Sequence, residues 1–282
     1  RCTYALDKAL WYKLKTNIKD KKLIPSAFLL SIYSEVLSKW SDNTNFAINL
    51  TLFNRLPLHA QINRIVGDFT SLLLLEVNHS YNSNFLQRTQ KLQAKLLQDL
   101  DHTLFSGVAF QRELRRHHCN NQILMPIVFT CMLGIDGQTN LTSDKEEQYA
   151  QNSVFLKNAD LIYDITQTGQ VWLDYKVYET EDRLVIEWDY VEDLFPPHVI
   201  QLMHKEYIRI IETLAQQNTE CWYKNSVVSI PELQNNRILQ NRNTKRNFPT
   251  FQLHELFYQQ ALKQPDRIAV ISNDCQITYS VL

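Results

Sequence analysis

The segment that decides the fold runs from Phe46 to Val77 and reads FAINLTLFNRLPLHAQINRIVGDFTSLLLLEV. Its first part alternates between two sets of side chains: Phe46, Ile48, Leu50 and Leu52 on one side, and Ala47, Asn49, Thr51 and Phe53 on the other. Alternation with a period of two residues is typical of a β-strand with one buried face. The pattern therefore predicts a strand over residues 46–53.

An aliphatic run from Thr70 to Val77 ends the same segment. A nearly continuous run of this kind is typical of a strand that is covered on both faces. A polar connection joins the two strands and contains Asn54, Arg55, Pro57, His59, Gln61 and Asp68. We interpret Asp68 as an Asx-type turn that leads into the second strand. The segment thus predicts two core strands with a functional loop at the edge of a sheet.

The composition is that of a globular protein with a sizeable core. The chain has 282 residues, of which 44% are apolar and 21% are charged, and this length indicates about two domains. The net charge of −1 gives no basic surface that would favour nucleic acid. With five glycines, no G-x-G-x-x-G and no P-loop, the sequence argues against a glycine-rich nucleotide-binding fold.

Membrane insertion and secretion are not indicated by the sequence. Its apolar runs are far shorter than the roughly 18 residues that cross a bilayer, and the Arg1-Cys2-Thr3 start carries no signal peptide. Five widely spaced cysteines predict reduced thiols and a cytoplasmic location. The triplet His117-His118-Cys119 has no second ligand pair at metal spacing, so we expect no metal site. Both ends look cut, and we expect a fragment of a longer polypeptide.

The periodicity along the chain predicts an α+β fold. Helices are expected over residues 4–20, 25–40, 85–100 and 106–116 and after Pro196-Pro197. Further strands are expected over residues 125–130, 160–167, 170–179 and 183–190, the last two as a hairpin, and residues 135–158 as a loop. These elements predict one sheet with helices packed on it.

A shift in composition predicts the domain boundaries. Asn, Gln and Arg dominate between residues 216 and 250, and apolar periodicity fades there. A new helix is then expected from Leu253, and a new strand over Arg267–Ile271. We therefore predict a first domain at 1–217, a linker at 218–249 and the start of a second domain at 250–282.

The loop segment carries a resemblance to a known family. LTLFNR at residues 50–55 and VGDFTS at residues 66–71, with Pro57, His59 and Gln61 between them, resemble the hallmark of heterocyclisation domains. Those domains are variants of the condensation domain of non-ribosomal peptide synthetases. The family has proline where this chain has Ala60.

Later motifs agree with this resemblance in the same order. MPIVFT at residues 125–130 and QTGQVWLD at residues 167–174 resemble two family motifs, with Cys131 in place of serine and Gly169 in place of proline. Gly107-Val108 and residues 112–114 resemble the motif before them. Residues 253–282 resemble the opening of an adenylation domain. The resemblance covers essentially the whole chain.

The resemblance implies a fold and a set of partners. The family has two lobes, each similar to chloramphenicol acetyltransferase, that meet along a tunnel, and the motif order assigns this truncated chain to the C-terminal lobe. The implied partners are the missing N-terminal lobe, the adenylation domain, and peptidyl carrier domains upstream and downstream. The lobe itself binds no cofactor: substrates arrive as phosphopantetheine thioesters, and the complete adenylation domain uses ATP and Mg.

The resemblance also implies a reaction and two catalytic residues. The family joins an acyl thioester to the amine of carrier-bound Cys, Ser or Thr and then cyclises the product to a thiazoline or oxazoline with loss of water. That loss requires one group to take the nitrogen proton and another to protonate the departing hydroxyl, which a carboxyl group near a hydroxyl can do. The family's catalytic residues correspond to Asp174 and Thr130 of this sequence.

Each candidate residue also has a plainer interpretation. Asp174 resembles a strand-end carboxylate paired with Lys176, and Thr130 alone is an ordinary residue of a strand. Asn54 is a candidate for binding substrate or orienting Asp174, or else is a turn residue. We also predict that Gln167 and Gln170 bind substrate in the tunnel, although polar surface residues are common.

Two alternative functions remain open at the level of sequence. A condensation domain that forms only the amide bond is one, and a non-catalytic docking or interface module is the other. The basic group Arg112, Arg115 and Arg116 is a candidate contact for an acidic carrier or its phosphate, or else a solvated helix end.

Overall fold

The computed structural model describes residues 1–56, 58–79, 83–118, 124–133, 168–180, 183–216, 219–229, 253–272 and 275–282. These residues belong to two compact units, Arg1–Pro231 and Glu232–Leu282. The expected loop at 135–158, the expected strand at 160–167 and most of the expected linker lie outside the described residues.

A mixed sheet forms the centre of the first unit. Six strands of the described residues build it: β1 (Cys2–Asp7), β2 (Asn45–Phe53), β3 (Thr70–Asn78), β4 (Ile127–Cys131), β5 (Leu173–Glu179) and β6 (Arg183–Tyr190). Their spatial order is β1-β6-β5-β4-β2-β3. The pairs β2–β4 and β4–β5 are parallel, and the other pairs are antiparallel.

Helices connect or follow the strands of the sheet along the chain. In the first unit they are α1 (Lys8–Asp20), α2 (Pro25–Trp40), α3 (Phe85–Leu100), α4 (Gly107–His118), α5 (Val199–Ala215) and α6 (Thr219–Trp222), with short 3-10 turns at Ile62–Arg64 and Glu192–Leu194. Pro25 occupies the first turn of α2, where its missing N–H costs no hydrogen bond. The structure thus has the predicted α+β character.

One face of the sheet forms the hydrophobic core with α2 and α5. Tyr175 of β5 stacks on Phe129 of β4 with ring centroids 4.6 Å apart, and Tyr33 of α2 lies 5.0 Å from Tyr175. The hydroxyls of Tyr175 and Tyr207 are 2.6 Å apart, so these two buried polar atoms satisfy each other. This face is apolar because every second residue of the central strands points towards the helices.

The opposite face of the sheet is polar and lies partly under α4. Register partners share a face, and Asn49 of β2, Val128 of β4 and Asp174 of β5 form one row across the sheet. Thr51, Thr130 and Lys176 form the next row along the same strands. Because these rows alternate with the core residues, they project away from the hydrophobic core.

The N-terminal prediction was wrong over its first residues. A helix was expected from residue 4, but Cys2–Asp7 is the strand β1, which pairs antiparallel with β6. Leu6 satisfies both patterns, since it is fully buried in the strand and also continues the four-residue spacing of the helix. The helix begins at Lys8, where the Asp7 side chain accepts a hydrogen bond from the Ala9 N–H at 2.8 Å.

Strand β3 is covered on both faces only in part. Leu73, Leu75 and Val77 are buried on the core side. On the other side the first residue of α4 lies against the strand, and a Cβ on Gly107 would come within 3.0 Å of the Leu72 carbonyl oxygen. Leu72 is half-buried and Glu76 is exposed, because β3 is an edge strand and α4 covers part of it.

The second unit contains a helix and a hairpin. Its described elements are α7 (Leu253–Lys263), β7 (Ile268–Ile271) and β8 (Gln276–Thr278), and the two strands pair antiparallel. The rings of Phe257 and Tyr279 lie 5.4 Å apart and join the helix to the residues after β8. The expected helix and strand are therefore present after residue 250.

Candidate active site

A cavity of about 570 Å³ lies on the polar face of the sheet, between α4 and the turn that precedes β5. Thr130 and Asp174 both line it, as does Gln170. The structure therefore brings together three of the predicted site residues. The register of β4 with β5 is the cause: Asp174 pairs with Val128, two residues before Thr130, so both candidates lie on adjacent strands and on the same face.

Thr130 lies on β4 opposite Thr51 of β2. Its hydroxyl donates a hydrogen bond to the Thr51 hydroxyl oxygen at 3.0 Å. Both side chains are half-buried and line the cavity. The pairing fixes the Thr130 side chain against a neighbouring strand and leaves its oxygen able to accept a further hydrogen bond.

Asp174 is held on β5, with only 8% of the residue exposed. Burial of this extent makes ionisation of a carboxyl group costly unless neighbouring groups compensate. The carboxylate also acts on the core, since the pKa of Tyr33 is raised first by burial and then by the negative charge of Asp174. A carboxyl group therefore lies at the floor of the cavity, where access of water is restricted.

Asn49 is a site residue that the sequence interpretation did not single out. It is 5% exposed, its side-chain amide donates to the Met125 carbonyl, and its side-chain oxygen lies 3.5 Å from the amide nitrogen of Gln111. Asn49 thereby joins β2 to the entry of β4 and to α4. Its signal was present in the alternation, which assigns Asn49 to the same face as Thr51, although periodicity alone does not show what covers that face.

Of the two glutamines predicted to bind substrate, only Gln170 belongs to the described residues. Gln170 lies in an exposed turn before β5, with φ of 71°, a left-handed conformation that is uncommon outside glycine. The strand was expected to include Gln170, but it begins at Leu173 because this turn interrupts it. Gln167 lies outside the described residues.

Asn54 lies apart from Thr130 and Asp174. It lines a different cavity, of about 380 Å³, at the C-terminal end of β2 and on the core side of the sheet. Its backbone N–H donates to the Phe69 carbonyl at 2.9 Å, which closes the loop between β2 and β3. A direct contact between Asn54 and Asp174 is not part of this arrangement, and its role in substrate binding stays a prediction.

Contacts within the loop 54–70 explain why other polar residues, Arg55 and Asp68, occur in it. Arg55 donates from Nη1 to the carbonyls of Ile62 and Ile65, at 2.7 and 3.0 Å, and its guanidinium lies 4.0 Å from the centre of the Phe69 ring. Asp68 accepts from the Thr70 N–H at 2.8 Å, which confirms the predicted Asx turn. Hydrogen bonds from Thr70 lower the pKa of Asp68.

The basic residues of α4 do not form one patch. Arg112 and Arg115 line the cavity that holds Asp174. Arg116 is instead exposed and pairs with Glu113 at 3.1 Å on the surface of the same helix. The helix therefore contributes two positive charges to the cavity, and the third belongs to the solvated end of the helix.

Metal ligation and membrane crossing find no structural basis in the part of the chain that is described. Within those residues, no group of three His, Cys, Asp or Glu side chains is placed to hold a metal ion. No described helix combines the length and the apolar character that a membrane span requires. The cavity lining combines hydroxyl, carboxyl, amide, guanidinium and ammonium groups with apolar side chains such as Leu72, Val108 and Val128.

Comparison with known proteins assigns the family. The condensation-domain family matches residues 1–236. Bacitracin synthase 1 of Bacillus licheniformis is 34% identical over 279 residues, and phenyloxazoline synthase MbtB of Mycolicibacterium paratuberculosis is 32% identical over 282 residues. The matches cover 98% and 96% of this chain but only 5% and 23% of those relatives, so the chain spans a small part of their length.

A solved structure agrees with this assignment. The EpoB NRPS cyclization-docking bidomain from Sorangium cellulosum superimposes with a TM-score of 0.64 at 31% identity, over 79% of this chain and 42% of that one. The predicted fold, similar to chloramphenicol acetyltransferase, is confirmed by such neighbours. The chain belongs to the condensation-domain family of non-ribosomal peptide synthetases.

Proposed function

We propose that the chain is the C-terminal lobe of a heterocyclisation domain, followed by a linker and by the start of an adenylation domain. The observation that carries the proposal is the presence of Thr130 and Asp174 in one cavity, on adjacent strands and the same face of the sheet. Names of relatives support it, since one is a phenyloxazoline synthase and one structure is a cyclization bidomain.

The proposed reaction has three stages. The amine of a carrier-bound Cys, Ser or Thr attacks the upstream thioester, so that an amide forms and the donor carrier's thiol leaves. The side-chain thiol or hydroxyl then attacks the amide carbonyl carbon, and the carbonyl oxygen becomes a hydroxyl. Finally the nitrogen loses its proton and the hydroxyl leaves as water, which creates the C=N bond of the ring.

Asp174 and Thr130 are assigned to the last stage. The carboxylate of Asp174 takes the nitrogen proton and returns it to the departing hydroxyl, which leaves as water, while the Thr130 oxygen accepts a hydrogen bond from that departing group. Low exposure suits this role, because a carboxyl group that is shielded from water exchanges its proton with the substrate and not with solvent. Gln170 and the two arginines of α4 line the same cavity, and we propose that they contact the substrate's polar groups.

The partners follow from the family. Condensation domains work with carrier domains, and we propose that carriers on both sides deliver phosphopantetheine thioesters to this cavity. The N-terminal lobe would close the cavity from the side opposite the sheet, and the complete adenylation domain would use ATP and Mg to load the downstream carrier. The cytoplasmic location stays a prediction.

Substitution of Asp174 in the intact synthetase tests the proposal. With Asp174→Asn we expect the condensed but uncyclised product to accumulate, as a species 18 mass units heavier than the ring, about the mass of one water, with amide formation retained. Asp193→Asn is the control, since Asp193 is an exposed carboxylate beyond β6. Ring closure at the wild-type rate in Asp174→Asn would overturn the catalytic assignment.

The two alternatives give different products in the same assay. A condensation domain that forms only the amide would yield uncyclised product with the wild-type sequence. A docking module would yield no condensed product at all. Mass spectrometry of carrier-bound species therefore separates all three functions in one experiment.

A further inference from the structure

The hydroxyl pair Thr51–Thr130 is a feature that the assignment of Asp174 and Thr130 does not use. The two residues are register partners on the parallel strands β2 and β4, and their side-chain oxygens lie 3.0 Å apart. Thr130 is the donor and Thr51 the acceptor. Thr51 therefore determines where the proton of the Thr130 hydroxyl points in the free protein.

The direction of this hydrogen bond matters for the chemistry in the cavity. A hydroxyl has one proton and two lone pairs, so Thr130 can accept from substrate while it donates to Thr51. The side chain of a β-branched residue has few rotamers, and a partner on a rigid strand selects one of them. Preorganisation of this kind helps a group that must meet a transition state in one orientation.

We infer that Thr51 is a positioning residue for Thr130 in ring closure. The inference rests on the proposed function, because it assigns a purpose to the partner of a proposed catalytic residue. Thr51 acts through Thr130 and through the direction of one hydrogen bond. A cross-strand threonine pair also occurs as a structural contact, and such a contact contributes to stability alone.

Three substitutions in the intact synthetase distinguish positioning from stability. Thr51→Val preserves the shape of the side chain and removes the acceptor, Thr51→Ser preserves the acceptor, and Thr130→Val removes the donor. We expect Thr51→Val to slow ring closure about tenfold while amide formation stays within about twofold. Thr51→Ser should restore ring closure to within about threefold of the wild type.

The control is a second hydroxyl pair of the same kind. Ser31 Oγ and Thr89 Oγ1 lie 2.8 Å apart, buried between α2 and α3 and away from the cavity. Thr89→Val removes this hydrogen bond and also the one that Thr89 Oγ1 donates to the Phe85 carbonyl at 2.9 Å, and we expect it to lower stability and leave the ratio of cyclised to uncyclised product unchanged. An equal change of this ratio in Thr89→Val would mean that the Thr51 effect is structural.

The single variants, together with the double variant Thr51→Val/Thr130→Val, separate failure of the inference from failure of the proposed function. If Thr130→Val leaves ring closure unchanged, the proposed role of Thr130 is wrong, and the inference falls with it. If Thr130→Val slows ring closure but Thr51→Val does not, only the inference is wrong. Positioning predicts that Thr51→Val adds less than about twofold to the effect of Thr130→Val, whereas independent effects would multiply.

Discussion

The ammonium of Lys176 donates to the carboxylate of Asp189, with Nζ and Oδ2 3.1 Å apart across the β5–β6 pair. Lys176 lies two residues from Asp174 on the same face of β5. One interpretation of the sequence was that Asp174 and Lys176 pair with each other. Asp189 is also bound by Arg1, whose Nε lies 2.6 Å from Oδ1. The polar face of the sheet therefore continues beyond the cavity as a network of charges.

Asp189→Asn should lower the free energy of unfolding at neutral pH and have a smaller effect on it in acid. Burial opposes ionisation of Asp189, but hydrogen bonds from Arg1 and Lys176 outweigh it and lower the pKa. A carboxyl group whose pKa is lower in the folded than in the unfolded protein stabilises the folded state at pH values above its unfolded pKa of about 3.9. This contribution disappears as the pH falls through the folded pKa. Urea unfolding of both proteins at pH 7 and near pH 3 tests this, and a gap that widens in acid would contradict it.

His204 should make the first unit sensitive to mild acid. Burial lowers the pKa of His204 to about 4, and its ring lies against Trp188 at 5.2 Å. Since the unfolded chain binds the proton at about pH 6.5, stability should fall as pH drops from 6.5 to 4, by up to about 3 kcal/mol.

The test of His204 is a comparison of unfolding free energies across this pH range. His204→Phe retains an aromatic ring beside Trp188 and removes the titrating group, so its unfolding free energy should change less between pH 6.5 and 4 than that of the wild type. His254→Phe is the control, because His254 is exposed and lies in the second unit. Parallel pH profiles of the wild type and His204→Phe would refute the prediction.

Gly107→Ala should displace α4 from the sheet. The new Cβ would lie 3.0 Å from the Leu72 carbonyl oxygen and 3.3 Å from Leu74 Cγ, and a backbone atom cannot move aside as a flexible side chain can. We expect a loss of about 1–3 kcal/mol in the free energy of unfolding and slower turnover, because α4 is a wall of the cavity. Gly169→Ala is the matched control, as a Cβ there meets nothing within 4 Å and should change stability by less than about 1 kcal/mol.

Arg55→Lys should destabilise the loop 54–70. The guanidinium reaches two carbonyls and the Phe69 ring at once, and an ammonium group does not reproduce this planar arrangement. We expect a loss of about 1–2 kcal/mol and faster proteolysis within residues 58–66. Arg64→Lys, at an exposed position of the same loop, should resist proteolysis as the wild type does.

Periodicity in the sequence predicted those helices and strands in which one spacing of apolar residues continues over the whole element. The alternation over 46–53 identified β2 and assigned Asn49 and Thr51 to one face, and the helices from Pro25 and Phe85 lie where they were expected. Residues 4–7 were misassigned because Leu6 fits a helical spacing as well as a strand. Pairing with β6, far along the chain, decided between the two.

The sequence by itself determined the family, the α+β class and the identity of Thr130 and Asp174 as candidates, since each is a matter of residue types in a fixed order. Only the tertiary structure decided that these two share a cavity, that Asn54 lies in another one, and that Thr51, Asn49 and Gln111 surround the site. Periodicity reports which side chains share a face, but strand order and register come from pairing between residues far apart in the chain, as for Cys2 of β1 and Trp188 of β6.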